Sequence, residues 1–172
     1  METWDIYDKN RMKTGKTRTR SEKFAPGEYI LIVMILIFNS RGQMLIQRRQ
    51  EHLKWHPGMW TMTAGGAAIA GETPGEAAAR ELFEELGIKM QFDARAHFSM
   101  TNDGAFIDYF LVTTDVDLAD IAMPTSEVME VKWADKDEML RMIEAGECIP
   151  YRRSFLEFCF DMGREYDLIA RQ

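Results

Sequence analysis

Glu81, Glu84 and Glu85 stand at i, i+3 and i+4, immediately after Arg80. On an α-helix, at about 100° per residue, these four fall on one arc, while Ala78, Ala79, Leu82, Phe83 and Leu86 fall on the opposite one. Like charges at such spacings repel by about 0.2–0.5 kcal/mol per pair when exposed, so a helix that clusters them calls for a compensating cation. Hard divalent cations such as Mg²⁺ take oxygen ligands and sit between one or two carboxylates and substrate phosphates. A solvated acidic face would account for three glutamates taken alone, so their setting decides. The helix has clear limits: Thr73 is a natural N-cap, Pro74 takes the first helical position, and Glu76 completes a capping box. Gly87 ends it in the C′ role. A glycine- and alanine-rich loop, Gly65 to Glu72, leads into it.

The full stretch Gly66 to Ile88 reads GAAIAGETPGEAAARELFEELGI. Its glycine, the glutamate six residues on, and the closing Arg-Glu-apolar-x-Glu-Glu-x-Gly-apolar resemble the signature of the Nudix hydrolase superfamily at Gly66, Glu72, Arg80, Glu81, Leu82, Glu84, Glu85, Gly87 and Ile88. Nine constrained positions make this far more specific than a short glycine motif. The resemblance implies a loop–helix–loop that holds Mg²⁺ or Mn²⁺ and hydrolyses a diphosphate bond in a small-molecule substrate. Carried over by position, Glu81, Glu84 and Glu85 are the metal ligands, joined by a backbone carbonyl at Gly65 or Gly66. Arg80 and Glu72 form a supporting pair that orients the carboxylates. The general base is either a glutamate of the helix, Glu81 or Glu84, or a carboxylate from a downstream loop. Glu127 is the first candidate there, with Glu130 and Asp103 behind it. Phosphate or leaving-group contacts fall to Arg48, Arg49 and Lys54. Adjacent strand residues face opposite ways, so at most one of the two arginines should point into the site. Trp55 and Trp60 could stack on a base or anchor the loop.

The elements that must position these residues read as an α+β fold over residues 1–172. Met1 to Gly27 is a polar lead-in segment. Glu28 to Asn39 and Gln43 to Arg49 form an antiparallel strand pair across Ser40-Arg41-Gly42. Trp60 to Thr63, Ile88 to Met100, Ala105 to Thr114 and Val128 to Trp133 read as further strands. Asp135 to Ala145 and Pro150 to Ile169 read as helices, within a C-terminal region of residues 150–172. Strands outnumber helices without alternating with them, which suggests a mixed sheet. The resemblance makes this an α/β/α sandwich.

Composition narrows the partners. The chain has 172 residues, 46% apolar and 28% charged, with a net charge of −7. This is globular usage, and the acidic balance argues against a nucleic-acid binder, which needs a positive stripe. The longest apolar run, Tyr29 to Phe38, is about half of what a membrane helix requires. Two cysteines, Cys148 and Cys159, make no disulfide framework. Residues 1–20 carry no apolar targeting core, so a cytoplasmic location is expected. The methionines and the apolar C-terminal helix would allow a homodimer.

A closer resemblance covers most of Trp4 to Trp133, through WDIYDKNRMKTGKTRTR, GEYILIVMILIFNSRGQMLIQRR and KWHPGMWTMTAGG. These segments are similar to the branch related to isopentenyl-diphosphate isomerase. That branch raises isomerase activity as an alternative, and a non-hydrolytic nucleotide sensor is another. The isomerase pattern is broken here. Its cysteine falls at Ala64 or Gly65, its first-strand histidine at Ile30, and its glutamate at Phe106. None of these side chains can protonate an alkene or ligate a cation. Isopentenyl diphosphate incubated with the protein and Mg²⁺ in deuterated water should therefore gain no deuterium above a protein-free control. Label in the prenyl chain would restore the isomerase alternative.

Overall fold

The computed structural model describes residues 2–121 and 123–164. In chain order the strands are β1 (Thr3–Tyr7), β2 (Lys13–Thr19), β3 (Ile30–Phe38), β4 (Met44–Arg49), β5 (Trp60–Thr61) and β6 (Ala64–Ala67). Helix α1 (Pro74–Leu86) follows, then β7 (Phe98–Asn102), β8 (Ala105–Thr113), β9 (Val128–Ala134), α2 (Lys136–Glu144) and α3 (Arg153–Arg164). This is an α+β fold with a mixed sheet, as expected. No helix of the described residues is long and apolar enough to cross a membrane. The chain divides into two compact units.

The first unit comprises the residues up to Ile35, with Gly65–Glu84 and Ile88–Phe110. The lead-in segment is not irregular: β1 and β2 form an antiparallel hairpin, with Trp4 opposite Arg18. β2 is exposed along most of its length and shows no apolar alternation, which hid it from sequence patterning. Trp4 and Ile6 alternate inward and pack with Ile30 and Ala105, flanked by Ile32, Ala67 and Ile107. Lys13 Nζ reaches Asp5 Oδ2 at 2.6 Å, and Tyr7 exchanges two backbone hydrogen bonds with Tyr29. β7 pairs with β8 from Phe98↔Tyr109 to Asn102↔Ala105, across the expected turn. The strand expected over Ile88–Met100 begins only at Phe98. The residues before it, QFDARAH, lack the β-branched alternation of a strand, and Phe92 turns edge-on to Phe110 instead.

The second unit comprises Leu36–Ala64, Glu85–Gly87 and the described residues from Leu111. β4 is its axis. It pairs antiparallel with β5 at Gln47 and Arg48, with the end of β3 through Phe38↔Met44, and with β9 from Met44↔Ala134 to Arg49↔Val128. Met44, Leu45 and Ile46 are fully buried. Thr63 Oγ1 stitches two strands, donating to Leu45 O at 2.6 Å and accepting from Ile37 N at 2.9 Å. Asp135 caps α2 by accepting from Glu138 N. The helix expected over Pro150–Ile169 begins at Arg153, and residues 165–172, which include Tyr166, lie outside the described residues. Cys148 and Cys159 are both free and buried, and burial pushes each thiol up to about 12.

Gly163 shows how tightly α3 docks. A Cβ there would lie 2.4–2.6 Å from the ring carbons of Phe38, which is fully buried and packed edge-on against Phe160. Alanine in place of glycine would add about 1 kcal/mol of helix propensity, but overpacking an immobile ring costs about 1–3 kcal/mol. Gly163→Ala should therefore lower the urea midpoint, by about 1 kcal/mol net. An unchanged or raised midpoint would mean that α3 does not sit this close.

Candidate active site

Helix α1 begins as its capping box dictates. Thr73 N and Oγ1 both donate to Glu76 Oε2 at 2.8 Å, and Glu76 N donates back to Thr73 Oγ1 at 3.3 Å. Gly87, at φ +70°, terminates it. In the first unit the helix carries a charged knot centred on Arg80. Its Nε and Nη2 donate to the two oxygens of Glu72, at 2.7 and 3.0 Å, in a bidentate fork. Nη2 also reaches Ala67 O at 3.1 Å, while Nη1 donates to Glu81 Oε1 at 2.8 Å and to Glu84 Oε2 at 3.0 Å. The hydrogen bonds from Glu72, reinforced by the charge of Glu81, hold the guanidinium proton more tightly than usual. Glu72 is itself fixed, accepting from Ile69 N at 2.8 Å. A Cβ on Gly66 would lie 2.4 Å from Glu81 Oε1, so only glycine lets this carboxylate rest against the backbone of β6, in a stretch expected to be loop. Gly65 has the same need: its Cβ would lie 2.5 Å from Val33 O.

Glu85 behaves differently from its two companions. It is 4% exposed, whereas the Glu84 side chain is 54% exposed. The helical wheel explains this: Glu85 lies about 60° from the buried Leu82, and Phe83 about 100° away. Phe83, expected on the apolar face, is accordingly exposed, with Lys89 Nζ over its ring. In the second unit Gln47 Nε2 donates to Glu85 Oε2 at 2.5 Å, and Thr125 Oγ1 donates to Glu85 O at 3.3 Å.

The downstream candidates are placed as follows. Glu127 is exposed, two residues beyond the Thr125 that touches Glu85. Glu130 pairs with Arg48 Nη1 at 3.1 Å. Arg48 and Arg49 both serve the loop that follows β4: Arg48 Nε donates to Gly58 O and Arg49 Nε to Trp55 O, each at 2.9 Å. Lys54 is exposed. Gln47 is the residue that sequence reasoning missed. Its signal was an amide directly after the apolar run Met44–Ile46 of β4; once buried, such a group must find a partner.

These donors suit a hard divalent cation: carboxylate oxygens on one helix, and a glycine backbone on which Glu81 rests. Among the described residues no three acidic, histidine or cysteine side chains converge at metal-holding distance. Glu81 and Glu84 turn to Arg80, and Glu85 to Gln47.

The family description "NUDIX domain" matches residues 28–153. The chain belongs to the Nudix family. It is 42% identical to an uncharacterized Nudix hydrolase of Listeria innocua over 94% of this chain and 95% of that one. It is 35% identical to an isopentenyl-diphosphate Δ-isomerase of Streptomyces coelicolor, over 54% of this chain and 47% of that one. Among solved structures, a Deinococcus radiodurans protein aligns with a TM-score of 0.76 at 24% identity, covering 92% of this chain and 99% of that one. The protein is thus a Nudix hydrolase, of a family that acts on small-molecule diphosphates and generally uses divalent metals. Arg80 is central to its Nudix helix. Arg80→Ala would leave Glu72, Glu81 and Glu84 facing one another, and should cost about 2 kcal/mol in urea unfolding. Arg80→Lys should recover little, because an ammonium cannot make the bidentate fork. An unaltered midpoint in both variants would show the knot to be ornamental.

Proposed function

We propose that this Nudix hydrolase cleaves the diphosphate linkage of a nucleoside diphosphate joined to another group, in a Mg²⁺- or Mn²⁺-dependent reaction. The observation that carries this is the Arg80 knot, which presents Glu81 and Glu84 side by side on α1 with Glu85 next in sequence. In this reading Glu81, Glu84 and Glu85 hold the cation, with a carbonyl at Gly65. When bound, it would neutralise diphosphate oxygens and lower the pKa of a water.

The chain's own residues do the remaining work. The Glu72–Arg80 fork fixes the helix carboxylates, and Gln47 orients the buried Glu85. Glu127, or Glu81 or Glu84 from the helix, accepts the proton of the attacking water. Lys54 and one of the two arginines, Arg48 or Arg49, supply positive charge to the substrate phosphates. A cytoplasmic location accords with the two free cysteines, and a homodimer with the exposed apolar side chains such as Phe158.

The isomerase alternative loses support from the first unit. Ile30, at the histidine position, is buried with Trp4, Ile6 and Ala105 in an apolar cluster. Phe106, at the glutamate position, stacks on Tyr29 at 5.0 Å, with the Arg11 guanidinium 5.6 Å from its centroid. A sensor that only binds would have no use for Glu85 as a carboxylate. Glu85→Gln keeps volume and a hydrogen bond to Gln47 but loses the charge. It should fold normally and lose at least about a hundredfold in release of nucleoside monophosphate from a substrate panel with Mg²⁺. Full activity at saturating Mg²⁺ would remove Glu85 from the site, and no turnover by the wild type across the panel would favour the sensor.

A further inference from the structure

Within the second unit, the loop between β4 and β5 is tied down at several points yet ends in an exposed indole. Arg49 N donates to Met59 O at 3.0 Å, Gln50 N to Glu127 O at 2.9 Å and Met59 N to His56 O at 3.4 Å. Arg48 and Arg49 hold Gly58 O and Trp55 O. A loop this restrained could bury its aromatic residue, but Trp55 is 58% exposed. The indole has two close neighbours. The Arg49 guanidinium lies 5.3 Å from its ring centroid, and His56 packs edge-on at 4.4 Å with the planes at 77°. His56 takes φ +45°, a left-handed backbone that a non-glycine residue adopts at a cost. Such strain persists where the surroundings enforce it, and it clusters at functional sites.

Its location connects this loop to the candidate site. Gln47 and Arg49 are two residues apart on β4, about 6.6 Å, and share a strand face. The bulge in the β4–β9 pairing falls on β9, where Met129 is extra, so alternation along β4 is preserved. The strand face that grips Glu85 through Gln47 therefore also carries, one step on, the arginine that holds Trp55.

We infer that Trp55 is the specificity-determining platform of this site, on whose open indole face the nucleobase of the substrate stacks above the Arg49 guanidinium. The inference rests on the diphosphate reading given above and adds what recognises the rest of the substrate. A flat π-face backed by a cation suits a nucleobase, since every base offers a π-face. An isoprenoid chain has alkene carbons but no aromatic ring to stack.

The test is calorimetric titration of the full-length protein with Mg²⁺, using adenosine and cytidine α,β-methylene diphosphates against methylenediphosphonate, which lacks a base. Wild type should bind the nucleoside compounds at least about tenfold more tightly. Trp55→Ala should erase that preference while leaving methylenediphosphonate affinity unchanged, and Trp55→Phe should keep most of it. Three results would overturn the inference: no preference in the wild type, a preference that survives Trp55→Ala, or an equal loss for all three probes in Trp55→Ala, which would assign Trp55 to loop structure. Because the probes are not hydrolysed, the outcome is separate from turnover: an enzyme inactive on every diphosphate could still show the Trp55 preference, and an active one could lack it.

Discussion

The bidentate contact between Arg80 and Glu72 is the constraint on which the proposed chemistry depends. A guanidinium offers two parallel N–H donors in a rigid plane, and Glu72 accepts both. The second edge of the same group then faces Glu81 and Glu84, so one cation offsets the repulsion between them. The knot draws the loop in as well, through Ala67 O and through Ile69 N on Glu72. Glycine at 66 allows the Glu81 carboxylate to lie where a side chain would otherwise stand. The loop–helix stretch is therefore an acidic surface whose carboxylates are positioned by hydrogen bonds within the protein.

The three glutamates do not have one environment. Glu84 is largely exposed, Glu81 is held between Arg80 and the β6 backbone at Gly66, and Glu85 is buried on Gln47. Exposure of this kind separates roles. A buried carboxylate bonded to an amide keeps its position at a cost in desolvation, while an exposed one meets water directly. This fits Glu85 as a fixed ligand and leaves Glu84 and Glu127 on the solvent side as candidates for proton transfer.

Much of this was legible in the residues themselves. The cap at Thr73, the stop at Gly87, the β3–β4 hairpin and the turn before β8 follow from local chemistry, and the structure has them all. Local patterns failed where the determinant was distant or missing. β2, KTGKTRT, is polar on both faces and gains its place by pairing with β1. Phe83 fell on the wrong side of a boundary that only the packed neighbours of Leu82 define. Gln47 and Glu85 are 38 residues apart, and nothing in either segment announces the other. The role of Trp55 was likewise open, since a loop tryptophan is as ready to anchor as to bind, and only its exposure over Arg49 distinguishes the two.

The central proposal is that Glu72, by seating Arg80, positions Glu81 and Glu84 along α1 for a cation that would draw them together with Glu85. Mn²⁺ titration followed by electron paramagnetic resonance tests it directly, comparing the wild type with Glu72→Gln. Glu72 is not among the proposed ligands, and the amide removes one charge while keeping one acceptor for Arg80. If the fork positions the ligands, the variant should bind Mn²⁺ about 10- to 100-fold more weakly while still folding. Equal Mn²⁺ affinity in the two proteins would contradict the account.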